Sequence, residues 1–211
     1  MKEKFLLSAT VGINAPKNTP FPINTNSFVE AADLLVELGY DAMELHLRSP
    51  EVIDSSEVLE YCDKVGLKIS TIGTGQAYGL EGLNLTSDRK DIRIKAVQRI
   101  KEQMDLGRLV NCPVIIGSMH GNIENRTYHE VNELMVESML EIADYAEKTD
   151  VEVVIEAIDR FETDYLLTAN EILELIDRIG SEKILVHLDT YHMNLEEQDW
   201  RKPILACKGK L

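Results

Sequence analysis

The chain has 211 residues, enough for one substantial core, and reads as one domain spanning residues 1–211. Its 37 acidic side chains outnumber 22 basic ones, for a net charge of −15, which argues against nucleic acid or an anionic membrane as a partner. No apolar run approaches a bilayer span, the Met1–Leu7 start holds too short an apolar patch for a signal peptide, and Cys62, Cys112 and Cys207 are isolated, so a cytoplasmic protein is expected.

Strand and helix signals alternate along the whole chain. Phe5 to Ile13 reads as a strand, and Asn14 to Asn26 as a Pro-rich connection. The pair Ser27/Glu30 opens a helix with Phe28, Ala31, Ala32, Leu34, Leu35 and Leu38 as its apolar face, and Gly39 ends it. Asp41 to Arg48 is a second strand, Ser55 to Val65 a helix closed by Gly66, and Lys68 to Gly73 a third strand. A Gly-rich loop runs to Leu85, followed by a helix from Asp88 to about Leu106. Pro113 to Ser118 is an uninterrupted apolar run of the kind buried on both faces. Thr127/Glu130 caps a further helix, and a short helical piece from about Gln198 to Cys207 closes the chain.

The most informative stretch lies between Val151 and Asp199. Two strand-like runs each carry a carboxylate, Val151 to Glu162 through Glu156 and Ile184 to Asn194 through Asp189. Between them Thr168/Glu171 starts a helix whose apolar stripe is Ile172, Leu173, Leu175, Ile176 and Ile179, and Gly180 stops it. This is a βαβ unit, so its strands are expected to be parallel, with their carboxyl ends on one side. Glu156 and Asp189 should therefore converge. Two carboxylates at one sheet edge repel unless a cation or a shared proton lies between them, and a hard divalent metal suits them.

Six strand–helix units fit either an open doubly wound sheet or an α/β (β/α)8 barrel. The first connection contains no glycine, and Gly73, Gly75 and Gly79 lack the spacing of a dinucleotide-binding turn, which favours the barrel. Such barrels typically need about 250 residues, so the expectation is an incomplete, open barrel two units short.

With these residues identified, the chain resembles the sugar isomerase/epimerase superfamily of xylose-isomerase-like TIM barrels, most of all the D-tagatose and D-psicose 3-epimerase branch. The carrying motifs are Ile155-Glu156-Ala157-Ile158-Asp159-Arg160-Phe161-Glu162-Thr163-Asp164 and Leu188-Asp189-Thr190-Tyr191-His192-Met193-Asn194-Leu195-Glu196-Glu197. The resemblance implies a metal-dependent isomerase that epimerises a ketose at C3 through a metal-stabilised cis-enediolate. Glu156 would be a metal ligand and an acid/base group, Asp189 a second ligand, and Glu162 and His192 substrate contacts. His120, on a loop of the same rim, is a further candidate for substrate contact. Mn²⁺ is the implied cofactor, with Mg²⁺ or Co²⁺ as alternatives. The family's remaining ligands, a His and a Glu, and a substrate-binding Arg belong to two strands beyond Leu211, so the chain reads as C-terminally truncated.

Epimerisation needs a base on each side of a planar intermediate, and Glu156 supplies one. An aldose–ketose or hydroxypyruvate isomerase uses the same intermediate and is the alternative within the class. The partner is expected to be a sugar or sugar phosphate. A non-catalytic fragment is the second reading, and its open sheet edges predict a homo-oligomer. The related apurinic endonucleases are disfavoured by the acidic charge. Glu44 and His46 share a strand face and are expected to give hydrogen-bonding support, His187 is expected to pack below the site, and Glu162 could instead pair with Arg160.

Overall fold

The computed structural model describes residues 5–211, so most of the Met1–Leu7 stretch, read as too short in its apolar patch for a signal peptide, lies outside it. Seven parallel strands form one sheet: β1 (Ser8–Ile13), β2 (Ile23–Thr25), β3 (Ala42–His46), β4 (Lys68–Gly73), β5 (Val114–Ile116), β6 (Val153–Glu156) and β7 (Ile184–His187). Their order is β2-β1-β3-β4-β5-β6-β7, so β1 is flanked by β2 and β3, and from β4 on each strand lies beside the one before it. The helices are α1 (Phe28–Glu37), α2 (Ser55–Val65), α3 (Gly75–Glu81), α4 (Lys90–Val110), α5 (Tyr128–Thr149), α6 (Ala169–Ile179), α7 (Thr190–Glu196) and α8 (Arg201–Ala206). Among the described residues no helix is long and apolar enough to cross a membrane.

The start signals act as their chemistry requires. Thr127 and Thr168 form reciprocal capping boxes with Glu130 and Glu171, and Ser27 accepts from the Glu30 amide. Gly66 and Gly180 end α2 and α6 with φ near +74°, a left-handed turn that glycine adopts without strain.

Four local expectations are corrected. The Pro-rich connection holds β2, an edge strand too short to show a period. The Gly-rich loop holds α3, which is fixed by tertiary contacts: Ala77 is buried and the Gln76 amide bonds the Ile13 and His46 carbonyls. On α1, Leu34 and Leu38 are exposed, and the packed face is Phe28, Ala31, Ala32 and Leu35. The run Ile184 to Asn194 is not one strand: β7 ends at His187, and α7 begins directly after Asp189.

Strand positions alternate between two environments. Val11, Leu45, Ile72, Ile116 and Ile155 are fully buried in one continuous core that also takes in residues from α1, α4, α5 and α6. The opposite face carries Thr10 and Gly12 on β1, Glu44 and His46 on β3, Thr71 and Gly73 on β4, and Glu156 on β6. In register, Thr10, Glu44 and Thr71 form one row and Gly12, His46 and Gly73 the next. The charge of Glu44 is felt by Glu156 and His187, three and four strands away along the sheet, which places them across a shared lumen. The edges are less open than expected. β2 flanks β1, and the Val186 N–H donates to the Lys210 carbonyl at 2.7 Å, which lays the last residues along β7.

Candidate functional site

Glu156 is the last residue of β6 and pairs in register with His187, the last residue of β7. Asp189 follows two residues later as the N-cap of α7, its side chain accepting from the Tyr191 amide at 2.6 Å. The first turn of α7 then carries His192 back toward β6. One ligand atom from each of Glu156, Asp189 and His192 lies within 4.8 Å of the others. The two carboxylates thus meet at the carboxyl rim of the sheet, where βα loops build sites. Asp189 arrives there as a helix cap, not as a strand tip.

His192 is held by a group to which the sequence reading gave no role. Its Nδ1 donates to Oδ2 of the buried Asp159 at 2.7 Å, across 33 residues of chain. The Asp159 amide also lies 3.3 Å from Nδ1, but the shorter contact to a carboxylate decides the tautomer. Burial alone would raise the Asp159 pKa, yet the Phe161 amide and His192 hold it below the usual carboxylate range. With Nδ1 committed, Nε2 faces Glu156 at 4.0 Å. The signal for this contact was Asp159 itself, a carboxylate inside the first motif.

Glu162 completes a second group, with Asp159 and His192 atoms also within 4.8 Å. Its alternative partner is occupied elsewhere: the Arg160 guanidinium binds Glu196 through Nε at 2.8 Å and Nη2 at 2.6 Å. Glu162 lines the cleft instead.

The electrostatics separate two half-buried carboxylates. Burial pushes Glu156 up to about 7, opposed by His192 and reinforced by the negative charges of Asp189, Glu44 and Glu162. Burial also works against Glu44, but hydrogen bonds from His46 at 2.9 Å, Thr10 at 3.0 Å and Thr71 at 3.1 Å hold it at about 2. The Glu44 carboxylate is therefore satisfied, whereas that of Glu156 lacks compensation. His187 sits beside the site, its Nε2 3.7 Å from Glu156, and burial pushes its pKa down.

A cleft of about 380 Å³ opens over these residues, lined by Glu156 and Glu162 at one end and by Phe21, His46 and Gln76 at the other. Gly117 gives Glu156 its room, since a Cβ there would lie 3.0 Å from Oε2. Four of the five candidates, Glu156, Asp189, Glu162 and His192, come together. His120 does not. Its ring is fully buried beyond the rim, edge-on to Tyr165 with centroids 5.9 Å apart, and Nδ1 bonds the Gly121 carbonyl at 2.9 Å. Burial pushes its pKa down to about 4, so it packs as a neutral ring.

Sequence comparison places this geometry among known proteins. The chain is 29% identical over 178 residues to the L-ribulose 3-epimerase of Methylomonas sp. (strain DH-1), covering 82% of this chain and 60% of that protein. It is 28% identical over 174 residues to a ketose 3-epimerase of Arthrobacter globiformis, covering 80% and 58%. The chain thus spans about 60% of the length of the curated relatives it matches. Among solved structures, D-allulose 3-epimerase from Methylomonas sp. in complex with D-allulose superimposes with a TM-score of 0.78 at 22% identity, covering 98% of this chain and 70% of that one. A family model matches residues 32–208, and the chain belongs to the xylose isomerase-like TIM barrel family.

Proposed function

We propose that this chain carries the metal-binding and proton-transfer half of a ketose 3-epimerase site, with Glu156 as acid/base, Glu156 and Asp189 as metal ligands, and Glu162 and His192 as substrate contacts. The observation that carries the reading is the convergence of Glu156, Asp189 and His192 within 4.8 Å on the carboxyl rim, in a chain whose curated relatives are 3-epimerases. The donor set fits a divalent ion. The carboxylates of Glu156 and Asp189 suit Mn²⁺, Mg²⁺ or Co²⁺, and the uncompensated charge around Glu156 is what a cation relieves. When bound, the ion would supply Lewis-acid polarisation of the substrate's carbonyl and neighbouring hydroxyl.

The residues of the chain do the rest. Glu156 supplies the carboxylate that moves a proton at the carbon acid on one side of the planar intermediate. His192, fixed by Asp159, offers Nε2 as an acceptor for a substrate hydroxyl, and Glu162 offers a second acceptor. The carboxylates in the wall disfavour an anionic substituent beside them, which supports a neutral ketose over a sugar phosphate.

The test is hydrogen exchange at C3. With D-psicose and Mn²⁺ in D₂O, the C3–H resonance is expected to wash out in the presence of the chain, and Glu156→Gln to slow the loss by roughly 10²–10⁴-fold. Absence of metal-dependent C3 exchange overturns the reading. Exchange confined to C1 would instead support the aldose–ketose alternative.

A further inference from the structure

At the far end of the cleft, His46 and Gln76 carry two buried polar atoms, Nδ1 and Oε1, that no group among the described residues serves. Their character follows from their neighbours. The Thr10 and Thr71 hydroxyls donate to Glu44, which in turn accepts from His46 Nε2 at 2.9 Å. A carboxylate accepts only, so Nε2 carries a hydrogen, and Nδ1 is left without a partner. Gln76 is 4% exposed and directs its amide nitrogen at two carbonyls, His46 O at 2.9 Å and Ile13 O at 3.4 Å. Its oxygen is therefore also an acceptor without a donor. Native proteins keep few such atoms buried, and each calls for an explanation.

The surroundings define what could answer them. The His46 ring lies on Gly73, where a Cβ would come within 2.2 Å of it, and under the tilted Phe21 ring, with centroids 4.7 Å apart. Phe21 also covers Gly12 and rides on the loop that carries Pro16 and Pro20. A ligand that fits has hydroxyls, which both donate and accept, for these two atoms and a C–H face for an aromatic ring. It has no anionic group, because Glu156 and Glu162 stand at the other end. Neither atom is exposed, so a ligand meets them only when the packing over them, Phe21 on the His46 ring included, moves aside.

We propose that His46 and Gln76 form a hydroxyl-recognition subsite, covered by Phe21, that holds the end of the sugar remote from the reacting carbons. The assignment rests on the ketose reading above and names two residues that would set substrate preference within it. Glu44 is the positioning residue of this subsite, because its charge fixes which His46 nitrogen is bare.

The experiment compares D-psicose with 6-deoxy-D-psicose by calorimetry on the full chain in MnCl₂. The wild-type chain is expected to bind the deoxy sugar roughly threefold to tenfold more weakly, the value of one hydrogen bond. In His46→Phe the two sugars are expected to bind alike. Gly73→Ala, which displaces the ring without removing a polar atom, should narrow the ratio in the same way. Equal affinities in the wild-type chain mean that water alone serves the two acceptors, and overturn the proposal even if His46→Phe does not fold. A ratio that survives His46→Phe and Gly73→Ala also overturns it. Binding of neither sugar overturns both the subsite and the ketose reading. A preserved ratio without C3 exchange leaves the subsite standing and removes only the epimerase chemistry.

Discussion

The two faces of the sheet are made from alternate residues of the same strands, yet they are built to opposite rules. Facing the helices are Val11, Leu45, Ile72, Ile116 and Ile155, branched or long aliphatics with no exposure. Facing the lumen are Thr10, Glu44, Thr71, Gly73, Gly117 and Glu156. Barrels of this class usually fill the interior with branched aliphatic side chains. Here the lumen trades that packing for space and for carboxylates. The difference teaches which side stabilises the fold and which side uses that stability: a carboxylate raised to about 7 is held in place only because the opposite face over-determines the backbone beneath it.

The largest effect that would sharpen this contrast comes from Glu156→Gln, which should abolish most C3 exchange and yet make the metal-free fold more stable. The sign follows from the raised pKa. Above pH 7 the folded state must hold a charge that the unfolded chain accommodates freely, so removing it is expected to gain about 1–3 kcal/mol at pH 8. Urea midpoints in chelator at pH 8 test this. A loss of stability would mean that the carboxylate is compensated after all.

Next is Leu45→Ala, one residue from Glu44 and His46 but on the packed face. Fully buried, it should cost about 2–5 kcal/mol. If the faces are independent, the parent-to-deoxy binding ratio of the folded fraction stays unchanged. A cost under about 1 kcal/mol would show that the helix-facing core is not what carries the sheet.

The histidine on the packed side offers a pH test of similar logic. His120 has a folded pKa of about 4 against 6.5 unfolded, so the unfolded chain takes the proton first. Stability is then full above pH 6.5 and is lost as pH falls from 6.5 toward 4, by as much as about 3 kcal/mol. Comparing His120→Gln with the wild-type chain at pH 7 and pH 5 should show the wild type losing more over that interval. Parallel losses in both would assign the acid sensitivity elsewhere.

His120 also shows where the sequence stops being legible. Its place on a rim loop could be read from the strand before it, but the Tyr165 ring that buries it lies 45 residues downstream, and no local period announces that contact. The Glu156 and Asp189 pair was readable because a βαβ unit fixes strand direction and therefore which ends meet. The Asp159–His192 bond was not, since it joins a loop to a helix and both residues sit inside a motif that already explains their presence. Helices with capping boxes were found, whereas α3 was missed because Gly75 and Gly79 lower its intrinsic propensity and tertiary contacts restore it. β2 escaped for a simpler reason: three residues give alternation nothing to repeat.

The smallest effect tests the lumen row itself. Thr71→Val removes one of the hydroxyls that keep Glu44 ionised and should cost about 1 kcal/mol at pH 7. Glu44 has a depressed pKa, so its contribution is present above pH 4.5 and is lost as pH falls from 4.5 toward 2. Losing a donor raises the folded value, which shrinks that contribution and weakens the acid limb of the stability curve. Ser70→Ala is the matched control. Its hydroxyl reaches Ser8 and the Met43 carbonyl at the bulge, outside the Glu44 network, so it should leave that limb alone. If Thr71→Val and Ser70→Ala shift the curve equally, the lumen row is only another set of surface hydroxyls, and the distinction between the two faces reduces to burial.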